Sequence, residues 1–262
     1  MLKRRITILL FAICFFAHAK SQTPGFSDKK SNHQDNSQNS LDWPGIYYGV
    51  LPCADCEGIE VYIDLGKGLR FTKKVKYLGK SDELLESSGT FSWSTDGNQI
   101  TLSGTGEIGS PEKYQVAENK IITLDEEGNR ITGNLAGRYI LGKVNTGLLE
   151  KYWKLTELEG RPITASAQFN REPHIIFKEK DNRVMGNGGC NNFSGAYTLR
   201  SNDRLALSKM ITTLMACPQM DVEAEFLKVL QMADNYYVSG DTLVLNKARM
   251  APLARFQAIY FK

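Results

Sequence analysis

The stretch Leu51-Pro52-Cys53-Ala54-Asp55-Cys56-Glu57-Gly58-Ile59 decides the fold of the first half, because a predicted strand and not a helix comes directly after it. In that strand, Val61-Tyr62-Ile63-Asp64-Leu65, apolar and polar side chains alternate, which is the pattern of a half-buried strand. A thioredoxin-like pair of thiols stands before a helix in a βαβ unit, so a strand at this place argues against that fold. The two thiols are close enough in the chain to reach one metal ion or each other.

Short alternating segments continue as far as residue 141, and turn sequences such as Asp96-Gly97-Asn98 separate them. No helix-length apolar stripe interrupts them. Strands of this kind predict an antiparallel meander or barrel. We therefore expect a small antiparallel β-barrel domain at residues 43–141. Its predicted strands after the first are 89–93, 99–102, 113–116, 120–124 and 138–141.

A second unit is predicted at residues 150–262, after a glycine-containing break at 142–147. It begins with the apolar strand Trp153–Leu158 and contains further short strands separated by turns. Near its end, Asp221 can cap a helix whose apolar residues recur at helical spacing. The pattern predicts an α+β domain, an antiparallel sheet covered by one helix. The apolar face of that helix consists of Val222, Phe226, Val229, Leu230 and Ala233.

The first residues resemble a targeting segment. A basic run at Lys3–Arg5 precedes a short apolar stretch and the small-residue end Ala17-His18-Ala19, which predicts a secretory signal peptide at residues 1–19. Residues 20–42 are rich in Ser, Asn, Gln and Asp and predict a disordered tether. Lipid attachment at Cys14 is the less favoured alternative, because Ile13 stands where a small residue belongs. We expect an exported protein of the periplasm or cell envelope, without a transmembrane span in the mature chain.

Composition excludes few functions, but it argues against nucleic-acid binding. The chain has 262 residues, 42% of them hydrophobic and 23% charged, with a formal net charge of +3. These values are ordinary for a globular protein, and no basic run occurs after the first residues. The single histidine of the two predicted domains, His174, has no neighbouring residues that would complete a catalytic set. We therefore predict a protein that is not an enzyme.

Export favours disulfides, and four cysteines lie beyond the predicted signal peptide. A bond between Cys190 and Cys217 would close a long loop and stabilise the fold by about 3.6 kcal/mol, so this pair is a structural disulfide candidate. Two buried free thiols are the alternative. A bond between Cys53 and Cys56 would contribute only about 2 kcal/mol. Such a pair is better suited to a redox switch than to holding a fold together.

A metal is the second interpretation of Cys53 and Cys56. Two close thiolates suffice for linear Cu(I), whereas zinc usually takes four ligands. Residues 43–141 contain no histidine to complete a zinc set. Copper is therefore the cofactor that this pair would hold, if it holds one. A structural or redox-responsive disulfide, a metal contact and a thiol oxidoreductase are all compatible with the spacing of the pair.

The segment Tyr48–Ile59 resembles the hallmark of the NlpE copper-resistance lipoprotein family, Tyr-x-Gly-x-Leu-Pro-Cys-Ala-Asp-Cys-x-Gly-Ile. Pro52, Asp55 and Gly58 are the motif residues that accompany the two cysteines. The resemblance covers residues 43–141 and implies a lipocalin-like barrel linked to copper tolerance and to envelope-stress sensing. The chain departs from the family in lacking a good lipid-attachment sequence and in its second half.

The second half resembles a META domain, the fold shared with the heat-inducible lipoprotein HslJ. The resemblance rests on Gly186–Tyr197 and on Thr212–Cys217. It implies an envelope protein linked to motility or stress, with no agreed catalytic chemistry. Met210, Met215 and Met220 lie around Cys217, and we expect them to pack in the core rather than to bind copper.

Together these features predict a non-catalytic envelope protein for copper homeostasis or for redox and envelope-stress sensing. It would use the Cys53/Cys56 pair of the barrel and a META interaction domain. Envelope proteins or a small hydrophobic ligand are the expected partners. The alternatives are a thiol-dependent oxidoreductase and a purely structural or ligand-binding lipocalin-like protein.

Overall fold

A computed structural model of the chain describes residues 35–105, 112–164, 171–217, 220–249 and 251–260. The predicted signal peptide at residues 1–19, lipid attachment at Cys14 and most of the predicted tether lie outside these residues. The first domain is a closed antiparallel barrel, as predicted. Its strands are β1 (Gly45–Leu51), β2 (Gly58–Gly66), β3 (Arg70–Leu78), β4 (Leu85–Trp93), β5 (Gln99–Thr105), β6 (Glu112–Ala117), β7 (Lys120–Thr123) and β8 (Ile140–Lys143), with a short 3₁₀ helix at Ala136–Arg138 before β8.

The barrel closes where β1 pairs with β8, with Tyr47 opposite Lys143. Period-two alternation sends every second side chain inward, so the apolar positions of β2 fill the interior as predicted. Burial of these side chains is the main force that holds the barrel closed. The buried interior side chains are Tyr47, Val61, Ile63, Leu65, Phe71, Val75, Phe91, Ile100, Leu102, Tyr114, Val116, Ile121 and Leu141.

One charged side chain lies among these apolar residues. Lys73 of β3 is only 7% exposed, and its ammonium group forms a salt bridge with Glu112. The other carboxylate oxygen of Glu112 accepts a hydrogen bond from the hydroxyl of Tyr114. A buried charge is tolerated only when it is paired and hydrogen-bonded, and this triad satisfies that condition. Burial and the Glu112 carboxylate together raise the pKa of Tyr114 well above its ordinary value.

The last part of the predicted disordered tether is ordered, which corrects that prediction. Helix α1 (Ser37–Ser40) lies against the barrel, where the backbone N–H of Ser37 donates to Asn98 Oδ1 at 3.0 Å. The Ser37 hydroxyl donates to the carbonyl of Val116 at 2.7 Å. Trp43 packs edge-on against Phe91, with ring centroids 5.7 Å apart. These polar residues are ordered because neighbouring barrel turns supply partners that composition alone does not reveal.

The second domain is also β-rich, and its sheet closes into a ring. β9 pairs with both β11 and β18, so the path through eight strands returns to its start, with β10 and β15 as short additions. The antiparallel sheet was predicted, but its closure was not, because β9 and β18 lie at opposite ends of the domain. The strands are β9 (Tyr152–Leu158), β10 (Arg161–Pro162), β11 (His174–Lys178), β12 (Arg183–Asn187), β13 (Asn192–Arg200), β14 (Arg204–Leu207), β15 (Ile211–Thr212), β16 (Asn235–Ser239), β17 (Thr242–Asn246) and β18 (Ala254–Ile259).

One long helix covers this sheet. Helix α2 (Met220–Met232) buries Phe226, Val229 and Leu230 completely, which confirms the centre of the predicted apolar face. Asp221 lies in the first turn of the helix and does not precede it. In that position its negative charge interacts favourably with the positive end of the helix dipole, instead of capping the first N–H groups.

The segment predicted as a break between the domains is packed. Val144 is buried, and its N–H donates to the carbonyl of Ile46 at 2.7 Å. A Cβ on Gly142 would lie 2.7 Å from the Cβ of Ser201, so the turn after β13 needs a glycine opposite it. The hydroxyl of Tyr236 donates to the carbonyl of Asn145. The junction therefore belongs to the core of the second domain and is not a flexible linker.

An ion pair with aromatic neighbours joins the two domains. Arg200 lies 3.3 Å from the carboxylate of Glu60 and 5.7 Å from the ring centroid of Tyr48. Tyr48 donates to Glu60 at 2.9 Å, and its ring centroid lies 4.7 Å from that of Tyr62. Tyr48 is 8% exposed and packs with the core of the second domain. The hairpin β1–β2 thus presents one face to its own barrel and the other to the neighbouring domain.

Candidate functional site

The two cysteines of the first motif lie in the connection between β1 and β2. The pairing of the hairpin ends at Leu51 and Ile59, which leaves residues 52–57 as the loop. The N–H of Glu57 donates to the carbonyl of Leu78 at 3.1 Å and fixes the loop to the end of β3. The loop is therefore held at the rim of the barrel, with its centre exposed to solvent.

Cys53 and Cys56 form a disulfide, with Cα atoms 5.3 Å apart. Both are half-buried, while Ala54 and Asp55 between them are exposed. Gly58, at the start of β2, is buried, and a Cβ there would lie 2.7 Å from Val50 Cγ1. The glycine of the motif thus serves close packing under the loop.

A carboxylate and an ammonium group flank the disulfide. Asp55 Oδ1 lies 3.4 Å from Cys53 Sγ, and the other oxygen of Asp55 accepts a hydrogen bond from Lys80. That hydrogen bond and the charge of Lys80 lower the pKa of Asp55, and Asp55 in turn raises the pKa of Lys80. Both groups are charged at neutral pH, so the pair stands beside the sulfurs with no net charge.

The same loop gathers three possible metal ligands. The ligand atoms of Cys53, Asp55 and Cys56 all lie within 4.8 Å of one another, and no other such group occurs in the described part of the chain. In the disulfide form the sulfurs carry no thiolate and are poor ligands. After reduction, two thiolates would suit Cu(I), and the carboxylate is a harder and weaker third donor. Disulfide formation and metal binding therefore exclude each other at this site.

Cys190 and Cys217 form the second disulfide, with Cα atoms 6.1 Å apart. Cys190 is 1% exposed and lies next to a buried polar network. The carboxylate of Glu223 accepts from the backbone N–H of Asn191 at 2.6 Å and from its side-chain amide at 2.8 Å. Asn191 Oδ1 accepts from the N–H of Met215 at 2.7 Å. This bond and network tie helix α2 to two loops.

The other predicted candidates do not assemble into a catalytic centre within the described residues. His174 stacks on Tyr152 with ring centroids 4.3 Å apart, and burial lowers its pKa. Of the three methionines expected in the core, only Met210 is buried. Met215 and Met220 are 47% and 41% exposed, so the prediction was wrong for these two.

Sequence reasoning missed Lys80, because it lies 25 residues from its partner Asp55. It also missed the salt bridge of Lys73 inside the barrel. The sequence signal for the Lys73 salt bridge is a lysine at an inward position of an alternating strand, Phe71-Thr72-Lys73-Lys74-Val75. Among the residues described, no helix combines the length and apolar character needed to cross a membrane.

Comparison with known proteins assigns both halves. Residues 47–134 match the NlpE N-terminal domain family, and residues 146–260 match the META domain family. The chain is 34% identical over 88 residues to lipoprotein NlpE of Escherichia coli, a match that covers 34% of this chain and 36% of that protein. It thus spans about a third of the length of that relative.

Two solved structures are similar to parts of the chain. A crystal structure of a "putative lipoprotein" from Shewanella oneidensis is 50% identical, with a TM-score of 0.38, covering 42% of this chain and 95% of that one. The crystal structure of the Cpx pathway activator NlpE from Escherichia coli is 19% identical, with a TM-score of 0.30, covering 67% of this chain and 99% of that one. From the two family matches, the chain contains an NlpE N-terminal domain at residues 47–134 followed by a META domain at residues 146–260.

Proposed function

We propose that this protein is a non-catalytic component of the cell envelope that reports redox or copper state through Cys53 and Cys56. The observation that carries the proposal is the position of the pair. The two sulfurs and the Asp55 carboxylate gather on a solvent-facing loop, around a bond that contributes little to stability. Such a pair can change state without unfolding its domain.

Two chemical states are available to the loop. In an oxidising compartment the pair is a disulfide. Two thiol molecules such as glutathione, which become a disulfide themselves, would reduce it to two thiols that can share one Cu(I) ion. Asp55 lies 3.4 Å from Cys53 Sγ and is paired with Lys80, so the carboxylate beside the sulfurs has a cationic partner of its own. Oxidant and copper would therefore produce different, mutually exclusive forms of one loop.

The envelope location rests on two supports. The predicted signal peptide directs export, and the similar proteins of both bacteria are named as lipoproteins. One of them is described as an activator of the Cpx pathway, which suggests envelope-stress signalling for this chain too. The META domain would act as the interaction module, because the hairpin that carries the cysteines also packs against it through Glu60 and Tyr48.

Anaerobic Cu(I) titration tests whether Cys53 and Cys56 bind copper. Reduced wild type should bind one equivalent of Cu(I) with an affinity that Cys53→Ser/Cys56→Ser lowers by at least a hundredfold. Cys190→Ser/Cys217→Ser serves as the matched control and should retain the affinity of wild type. Equal affinities for wild type and Cys53→Ser/Cys56→Ser would remove copper from the proposal.

Thiol labelling in glutathione buffers tests whether the Cys53–Cys56 disulfide responds to redox state. The Cys53–Cys56 bond should open at a more oxidising buffer than Cys190–Cys217, because the longer loop closed by Cys190–Cys217 stabilises the fold more and makes that bond harder to reduce. Reduction of both bonds together would contradict this. An insulin-reduction assay tests the alternative function, a thiol oxidoreductase. Turnover at the rate of a thiol oxidoreductase would show that the protein is an enzyme and would overturn the proposal.

A further inference from the structure

The META domain displays a ridge of aliphatic side chains in solvent. Ile211 of β15 is 79% exposed, Leu214 is 95% exposed and Met215 is 47% exposed. Isolated exposed apolar residues are common, but a run of them at such fractions marks a contact surface. We call residues 211–215 the apolar ridge.

The apolar ridge is held outward by fixed contacts. Ile211 pairs with Ser194 of β13, and the N–H of Thr213 donates to the carbonyl of Asn192 at 3.0 Å. The N–H of Met215 donates to the side chain of Asn191, and the Cys190–Cys217 disulfide closes the segment. A segment ordered in this way loses little entropy on binding, so the exposure of Leu214 is pre-organised for a contact.

Cationic side chains flank the ridge. Arg183 donates to Ser194 Oγ at 2.7 Å, and Ser194 is the register partner of Ile211, so the guanidinium lies on the same face. Arg171 donates to Asn192 Oδ1 at 3.3 Å, next to Thr213. Lys209 precedes the ridge, and residues 209–216 contain no acidic residue.

Within the residues described, no carboxylate lies within salt-bridge distance of these three cations. Glu223, the carboxylate nearest to the ridge in the hydrogen-bond network, is buried and engaged with Asn191. Exposed aliphatic side chains with cationic side chains beside them match the boundary between phosphate headgroups and acyl chains.

We propose that the apolar ridge docks on an anionic lipid surface, with Leu214 and Ile211 entering the acyl boundary and Arg183, Arg171 and Lys209 at the level of the phosphates. Leu214 is 95% exposed and Ile211 79% exposed, which suits insertion of these two side chains into a deformable lipid layer. Charge complementarity selects phosphate-bearing lipids with a net negative charge over neutral ones. This proposal does not depend on the function proposed for Cys53 and Cys56.

Vesicle flotation tests it with the exported chain, expressed in every version from a precursor that carries Cys14→Ser, so that no acyl chain can be attached by the alternative route. Wild type should float with phosphatidylglycerol vesicles and not with phosphatidylcholine vesicles, and about 0.5 M salt should release it. Leu214→Ser should weaken partitioning about tenfold. Arg183→Gln should weaken it about fivefold. The control Leu135→Ser, at a 48% exposed position of the first domain, should bind as wild type does.

Three results would overturn the proposal. The first is a wild type that does not float with phosphatidylglycerol vesicles, and the second is a Leu214→Ser variant that floats equally well. The third result would come from sedimentation without vesicles. If wild type is a dimer and Leu214→Ser dissociates it, the ridge binds a second copy of this chain and not a lipid surface. Leu214, Arg183 and Leu135 are solvent-exposed, and circular dichroism checks that each variant is folded.

Discussion

Removing the Cys190–Cys217 disulfide should strongly destabilise the META domain. The bond joins residues separated by 27 positions, and a loop of that length contributes about 3.6 kcal/mol by restricting the unfolded chain. Domains of this size have a net stability of about 5–15 kcal/mol, so the loss is a large fraction of the total. The Cys53–Cys56 bond spans a separation of 3 and should contribute about 2 kcal/mol by the same reasoning.

Urea unfolding of matched variants measures the difference. Trp153 is fully buried in the second domain, and its indole N–H donates to the carbonyl of Leu148 at 2.8 Å, so its fluorescence reports that domain. Trp43→Phe/Trp93→Phe leaves it as the single tryptophan of the chain. On that background, Cys190→Ala/Cys217→Ala should lower the urea midpoint by about 2 M, for an ordinary dependence of stability on urea.

Cys53→Ala/Cys56→Ala on the same background is the control. It should move the Trp153 transition by about half as much or less, because its bond contributes about 2 kcal/mol and lies in the first domain, whereas Trp153 is buried in the second. Equal shifts for the two variants would show that loop length does not decide the contribution of each bond. A loss below about 1 kcal/mol for Cys190→Ala/Cys217→Ala would refute the chain-entropy reasoning and assign the stability of this region to the network around Asn191.

Three further predictions concern polar contacts. Arg200→Ala and Glu60→Gln should show a coupling of about 0.5–1 kcal/mol in a double-mutant cycle of urea unfolding, and additive effects would mean that the ion pair does not hold the domains together. Asn191→Ala should cost about 2–4 kcal/mol, because it leaves buried partners unsatisfied, and an unchanged thermal midpoint would contradict this. Lys80→Ala should raise the pKa of Asp55 toward the ordinary carboxyl value, as followed by NMR titration. Because the pKa of Asp55 is lowered in the folded state, the ion pair stabilises above the ordinary carboxyl pKa and is lost as the pH falls through the lowered value.

The strands whose alternation is clear were predictable, and β3 was not. β2 alternates with apolar residues on one side, and its inward positions Val61 and Ile63 are buried as the pattern indicates. In β3 a lysine occupies an inward position, which hides the period, and Glu112 on another strand stabilises it there. A local pattern cannot report a partner that the fold brings from a distant strand.

The candidate site shows the same division. The sequence alone placed both cysteines and Asp55 on a loop before a strand, because those residues are neighbours in the chain. It did not reveal Lys80, which reaches Asp55 only because β3 runs beside β2 and returns the chain to the rim. It also did not reveal the exposure of Leu214, which sequence patterns treat as a core residue.

The sequence by itself determined the β-rich class of both domains, the buried face of the long helix and the pairing choices open to four cysteines. These depend on residue type and local period, which act over a few neighbouring residues. Only the tertiary structure decided that the second sheet closes through β9 and β18, that Arg200 meets Glu60, and that Ile211 and Leu214 face solvent. Each of these depends on contacts between segments far apart in the chain, which no local pattern encodes.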